Sequence, residues 1–481
     1  MISVSKCFLM AQSCQCIRRF TSVKINKGNR GAFQQLRLES TAVGVAEAKN
    51  EPDKVKRKRK LKITDSENPP EYLLSYFKTA KQKNILKNFP PNYFQKKQNS
   101  AQQQCMYVAD ESVAEVIARA VAASDDTPIV EVNPGVGILT KKLLKSSTQN
   151  IHLFEADGNF MKNLDEIVKN NRLRTSLKNE DFLGIWKLTY RDKLDGGNRI
   201  QTLLGDTLPK KEWTEGPNAK IVGATGSSNF FKHLVYSIVY QGSLFTFGRC
   251  EMFFIVPPSV YIQLTCSKEA GYLLYRYMTV LFQIFFEHEF IERVPRKAFL
   301  PWTHAYNHKQ HSKLTKVQSI DEDSFYLIRI VPRREVYELC SPDDMQALMF
   351  FIKQSMISRR NCVIPMLEKW IPYCGLRLIA QKTEECSTGE NPKTTVELPQ
   401  FVQPCQSISN TDHRGDFNIF TQFGDLTPSQ MLSLFQQFRN WPEYRQSPFL
   451  ALMESNLLKM LATQEDTATV SDFTEKPTKE E

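Results

Sequence analysis

Residues 129–155 constrain the fold more tightly than any other stretch. Ile129-Val130-Glu131-Val132 reads as a short apolar strand, Asn133-Pro134-Gly135-Val136-Gly137 as a glycine turn, and Leu139, Leu143 and Leu144 recur at helical spacing behind it. A second apolar strand, residues 151–154, ends at Glu155. Two strands joined through a helix are parallel neighbours, so this is the opening unit of a nucleotide-binding α/β sheet. Gly135 and Gly137 let the backbone turn and approach a ligand with no Cβ in the way, while the following helix offers free N–H groups. Such a loop suits the methionine and ribose part of an adenosyl ligand. Glu155 falls where an acid reaches ribose hydroxyls, and Asp181, placed where a third strand should end, is positioned to accept from the adenine amine. Two glycines alone fit any tight turn; glycines and acids in this order point to one cleft.

The rest of the chain is read around that unit. Asp110-Glu111-Ser112 opens a helix carrying Val113, Val116, Ile117, Ala120 and Val121, which Thr127-Pro128 stops. Residues 187–220 are polar and rich in Gly and Lys, and read as an insertion loop. Residues 253–256, 272–286 and 326–331 give strand, helix and strand signals. At Ser341-Pro342-Asp343-Asp344 a helix begins that is read as the entry to a smaller helical domain, 341–463, interrupted by a Ser/Thr/Pro/Glu-rich connector at 383–413. Asp425-Leu426-Thr427-Pro428 starts a late helix lined by Leu432, Leu434, Phe435 and Phe438. The main α/β domain is therefore expected over 101–340, and the acidic end, 464–481, as a disordered tail.

The charge is uneven. The formal +11 resolves into 21 Lys/Arg against 7 Asp/Glu in residues 1–100 and a small negative excess afterwards. No acid precedes Glu39, and the Arg-bearing, hydroxyl-rich residues 1–22 have the composition of a mitochondrial transit peptide, with Arg18-Arg19-Phe20-Thr21-Ser22 as a processing region. Residues 23–100 form a basic, largely disordered arm whose run from Lys54 to Lys62 suits nucleic acid or a partner protein. From Pro69 to Lys97, aromatics including Tyr76, Phe77, Phe89, Tyr93 and Phe94 alternate with lysines; packing on the domain and contact with nucleic acid fit this equally. Eleven scattered cysteines without a pair at zinc spacing indicate free thiols in a reducing compartment and no structural metal. No apolar run approaches the roughly 20 residues that cross a bilayer, so no membrane insertion is expected.

Three ordered segments carry a family resemblance. Glu131 to Thr140, with Gly135, Gly137, Leu139 and Thr140, resembles the first motif of the rRNA adenine N6-dimethyltransferases. Val294-Pro295-Arg296-Lys297-Ala298-Phe299-Leu300-Pro301 is similar to their Val-Pro-x-x-Ala-Phe-x-Pro segment, and Leu327 to Pro332 to the strand that follows. The resemblance covers roughly residues 105 to 460. It implies a Rossmann-like class I S-adenosylmethionine-dependent methyltransferase fold with a small helical C-terminal domain. It also implies an S-adenosyl-L-methionine pocket involving Val108, Asn133, Gly135, Gly137, Glu155 and Asp181, and small-subunit rRNA as the ancestral substrate. A mitochondrial branch of that family shares the Asn-Pro-Gly form of the first motif, the Asp-Leu-Thr-Pro helix start and the leader. Its members assist the mitochondrial RNA polymerase in opening promoter DNA, which places them in the matrix, at the nucleoid.

One departure bears on catalysis. Active adenine N6-methyltransferases carry Asn-(Ile/Leu)-Pro-(Tyr/Phe) after the fourth strand, to hold the adenine amine and stack on the base. Residues Lys220 to Ser228 supply no Asn-Pro pair and no ring at that spacing. Methyl transfer needs the amine within about 3 to 3.5 Å of the methyl carbon, so loss of the clamp costs orders of magnitude in rate. Asn133 in place of a glycine further crowds the cofactor. The expectation is a weak or absent methyltransferase that serves as a transcription initiation factor, its groove holding melted DNA through candidates Arg249, Arg296, Lys297, Arg329, Arg333 and Arg334. The rivals are an active dimethyltransferase of small-subunit rRNA adenines and an rRNA-binding assembly protein.

Overall fold

The computed structural model describes residues 75–90, 93–94, 105–122, 127–268, 274–301, 323–380 and 417–456. The expected leader at 1–22, the basic run at 54–62, the connector at 383–413 and the tail at 464–481 lie outside the described residues. In chain order the strands are β1 Tyr107–Val108, β2 Ile129–Val132, β3 Ile151–Phe154, β4 Thr175–Lys178, β5 Ala219–Ala224, β6 Cys250–Val256, β7 Phe286–Pro295, β8 Phe299–Leu300 and β9 Ser324–Pro332. The helices of six residues or more are α1 Ala80–Leu86, α2 Glu111–Val121, α3 Ile138–Ser146, α4 Met161–Asn170, α5 Ile185–Asp195, α6 Arg199–Leu204, α7 Asn229–Val239, α8 Pro258–Thr265, α9 Tyr277–Phe285, α10 Met345–Ser355, α11 Val363–Glu368, α12 Cys374–Ala380 and α13 Pro428–Asn440.

Seven strands form one sheet in the order β4-β3-β2-β5-β6-β9-β7. The pairs from β4 to β6 are parallel, and β9 runs antiparallel to both of its neighbours. This is the Rossmann-like class I methyltransferase fold. The chain moves outward from β2 through β3 to β4, then returns to β5 on the other side of β2, so a crevice opens beyond the carboxyl ends of β2 and β5. β2 and β5 are buried along their whole length, as strands covered on both faces must be.

Two apolar cores flank the sheet. One gathers α2, α3, α4 and the residues around α1. The other runs without a break from α7 and α9 through α10 to α13. Asp110 caps α2 by accepting from the Ser112 amide at 2.8 Å, as its position predicts. Thr427 caps α13 in a capping box with Gln430, with Pro428 at the first helical position.

Three stretches differ from the sequence expectation. Residues 187–220 are not an open loop: they hold most of α5 and all of α6. α5 buries little beyond Ile185, and the start of α6 is held by Asp192, which accepts from the Arg199 and Ile200 amides at 3.1 and 2.9 Å. A cap supplied from seven residues away leaves no local signal. β7 has no counterpart in the sequence reading because a bulge between Phe290 and Glu292 breaks its alternation and its outer face is charged. Within the expected disordered arm, residues 75–90 and 93–94 are described and packed, with Phe77, Leu86, Phe89 and Phe94 buried.

The C-terminal helices share the core of the α9 face. Phe351 on α10 lies with ring centroids 5.5 Å from both Phe435 and Phe438 and 5.9 Å from Trp370. The Tyr275 hydroxyl donates to the Leu426 carbonyl at 2.8 Å. Phe351→Ala should therefore cost about 3–5 kcal/mol. Because one core is involved, denaturant unfolding followed by tryptophan fluorescence and by far-UV circular dichroism should give coincident single transitions, with no early loss of the C-terminal helices.

Candidate functional site

The turn after β2 is forced into left-handed backbone at three of five residues: Asn133 has φ +56°, Gly135 +59° and Gly137 +77°. Glycine adopts this at no steric cost, and asparagine is among the few side chains that tolerate it, so Asn133 keeps the turn that a glycine would make. The Asn133 amide donates to the Phe154 carbonyl at 2.9 Å, tying the turn to the end of β3. Gly137 then starts α3 with no side-chain cap.

Glu155 follows directly. Its Oε2 accepts from the Gly135 amide at 2.9 Å, while Oε1 accepts from the Asp157 amide at 2.8 Å and from the Tyr107 hydroxyl at 3.3 Å. The glycine turn and the acid that closes the second strand thus belong to one place. Asp181 stands at the start of a 3₁₀ turn beyond β4; its Oδ1 accepts from the Gly184 amide at 2.9 Å, and Lys187 Nζ lies 3.9 Å from Oδ2. The Cys105 thiol, pushed up to about 12 by burial and then by Asp181 and Glu155, marks the ground between the two acids. Val108 is buried in β1, where it pairs with Phe299 of β8, so the Val-Pro-x-x-Ala-Phe-x-Pro segment supports this wall of the cleft. Tyr107, Cys105 and Asp157 were not foreseen. Tyr107 and Cys105 sit beside Val108 with no periodic signal, and only the place of Asp157, two residues past Glu155, hinted at a role.

Under the turn, Glu131 Oε2, both amide atoms of Asn133 and Thr140 Oγ1 are buried without a hydrogen-bond partner among the described residues. Such atoms suit a polar ligand group. The upper part of the cleft does not suit one as arranged. Glu155, the acid that would meet ribose hydroxyls, has 0% exposure. The open face of Gly135 is covered by the Tyr107 ring, whose Cδ1 would stand 2.7 Å from an added Cβ. The residue types of an adenosyl site are present, but its ribose end is closed by protein.

Beyond β5, where the adenine clamp is expected, the chain makes a hydroxyl-rich turn. The Thr225 amide donates to the Ile255 carbonyl, Thr225 Oγ1 accepts from the Ser227 amide at 3.3 Å, and Ser227 Oγ from the Asn229 amide at 3.2 Å. These hydroxyls serve the start of α7.

A sequence profile described as ribosomal RNA adenine dimethylase matches residues 95–383. The chain belongs to the ribosomal RNA adenine dimethylase family. It is 44% identical over 393 residues to the mitochondrial dimethyladenosine transferase 2 of Drosophila melanogaster, covering 80% of this chain and 86% of that one. The namesake of Rattus norvegicus is 26% identical over 245 residues, 49% of this chain and 59% of that one. A dimethyladenosine transferase structure from Plasmodium falciparum aligns over 69% of this chain and 97% of its own, with a TM-score of 0.41 and 10% identity.

Three of the six side chains proposed for nucleic acid, Arg249, Arg296 and Arg333, are buried. Arg249 is 8% exposed, and its guanidinium donates to the carbonyls of Trp213, Glu215 and Pro332. Arg333 is buried near Glu287 and Glu335, and Arg296 is buried over the Phe325 ring. Guanidinium groups enclosed in this way cannot reach a phosphate, so these three positions are structural. Arg329 is paired with Glu251 and lies 3.6 Å from Glu289. Of the six, only Arg334 is exposed, and Lys297 is half-buried.

Burial pushes the Glu131 carboxyl up to about 8 and that of Glu155 to about 7, against 4.5 for an ordinary glutamate. Below pH 4.5 both are protonated in the folded and unfolded chain alike. As pH rises from there, the unfolded chain ionises first and the folded state loses stability, until the loss is complete above about pH 8. Each tenfold difference in proton affinity is worth about 1.4 kcal/mol, so Glu131 contributes on the order of a few kcal/mol. Glu131→Gln should be more stable than the parent at pH 8 and should lessen the fall between pH 5 and pH 8, read from denaturant midpoints.

Proposed function

We propose that this chain is a mitochondrial transcription initiation factor, which helps the mitochondrial RNA polymerase melt promoter DNA in the matrix at the nucleoid, on a dimethylase scaffold that has lost its methyl transfer. The observation that carries this reading is the turn Thr225-Gly226-Ser227-Ser228. The Thr225 and Ser227 hydroxyls are engaged with backbone amides at the helix start, and the turn carries neither the Asn-Pro pair nor the aromatic ring that would clamp an adenine. The family resemblance to a mitochondrial branch that assists the polymerase supports the remainder. S-adenosylmethionine, when bound, would supply an electrophilic methyl group; Asn133, Gly135, Gly137, Glu155 and Asp181 are the residues to hold it, and their binding is vestigial in this reading. Lys297 and Arg334 remain candidates for phosphate contacts along the former rRNA groove.

The retained glycine turn and Glu155 favour, as a second reading, a dimethyltransferase of small-subunit rRNA. Reconstitution separates the two. Purified chain with mitochondrial RNA polymerase should initiate on linear promoter duplex, Asp181→Ala, at the partly exposed acid proposed for the adenine amine, should initiate equally well, and labelled S-adenosylmethionine should leave small-subunit rRNA unlabelled. Methylation lost in Asp181→Ala, without promoter-dependent initiation, would sink the proposal. Binding to melted DNA should weaken steeply with salt, by roughly 0.7 in the log–log slope for each phosphate neutralised. Deleting residues 54–62 should flatten that slope.

A further inference from the structure

Residues 75–94 precede the sheet in sequence yet end on the candidate cleft. α1 opens in a capping box between Thr79 and Gln82, and Phe77, Leu86 and Phe89 anchor the segment in the core. Beyond it, the Tyr93 ring meets Tyr107 edge-on at 5.3 Å and Phe160 at 5.4 Å, while Tyr107 and Phe160 lie 4.9 Å apart. The Tyr93 hydroxyl donates to Asp157, and the Tyr107 hydroxyl to Glu155. Two neighbouring O–H groups therefore meet the two carboxylates that follow β3, in front of a glycine whose open face the Tyr107 ring covers.

A ribose diol would likewise bring two adjacent hydroxyl donors on a compact ring to the acids beside the glycine turn, Glu155 first, the acid that the Tyr107 hydroxyl meets here. We propose that Tyr93 and Tyr107 act as an internal substitute for the ribose of an adenosyl ligand, so that docking of residues 75–94 and binding of such a ligand exclude each other. This rests on reading the cleft as adenosyl-shaped. Burial holds both phenols well above the ordinary tyrosine range, so they remain neutral donors. The zero exposure of Glu155 fits this, since the Tyr107 hydroxyl donates to it and the Tyr93 ring packs edge-on against that of Tyr107. Ligand affinity is then reduced by the fraction of molecules whose cleft is open. By linkage, a bound ligand must release residues 75–94 to the same extent.

Calorimetric titration of the full chain with S-adenosylhomocysteine tests this. The parent should bind weakly, Tyr93→Ala about tenfold or more tighter, because it raises the open fraction, and Tyr93→Phe in between. Hydrogen exchange of the parent at saturating S-adenosylhomocysteine should quicken at the amides of residues 82–94. Tyr93→Phe keeps the ring, and the exchange measurement needs no variant, so the test survives a misfolded Tyr93→Ala. Equal affinity in all three proteins with unchanged exchange overturns the exclusion and leaves the cleft reading standing. Absence of binding in every protein at millimolar ligand overturns both.

Discussion

The hydrogen bond from the Gly135 amide to Glu155 is the joint on which this architecture turns. It locks the end of β2 to the end of β3, and it does so in a place from which water is excluded. A carboxylate in such a place is tolerated only when its lone pairs are taken up. Glu155 meets this with two backbone amides and a phenol, yet burial still outweighs them and raises its proton affinity. The left-handed backbone at Asn133, Gly135 and Gly137 follows from the need to aim the Gly135 amide at that carboxylate.

The same economy of polar groups explains the rest of the cleft. Where an adenine clamp would stand, Thr225 and Ser227 serve the backbone of their own turn. Where a ribose would stand, Tyr107 caps the acid. Among the described residues of the cleft, polar atoms without a partner lie deeper, at Glu131, Asn133 and Thr140. In this crevice the polar side chains are thus turned toward one another and toward the backbone.

Away from the cleft, charge and packing divide differently from their appearance in the sequence. Arg249 and Arg333 look like surface cations but their guanidinium groups tie the start of β6 to the carbonyls of Trp213 and Glu215, and the end of β9 to the Gln283 carbonyl on α9. The helices from α10 onward look like a separate unit but bury their aromatic residues in the core that covers the sheet.

The strand, glycine turn, helix and acid of residues 129–155 were legible in the sequence because each depends on neighbours in the chain: strand composition, left-handed turn residues and helix caps. The starts of α2 and α13 were legible for the same reason. α5, α6, β7 and the burial of the arginines were not, because they depend on partners brought in by folding: Asp192 for α6, a bulge for β7, distant carbonyls for Arg249. The sequence by itself determined that Gly135 and Glu155 would face a common crevice. Only the tertiary structure decided what fills it, because Tyr93 and Tyr107 reach Asp157 and Glu155 across separations of 64 and 48 residues, and no local periodicity records a contact of that range.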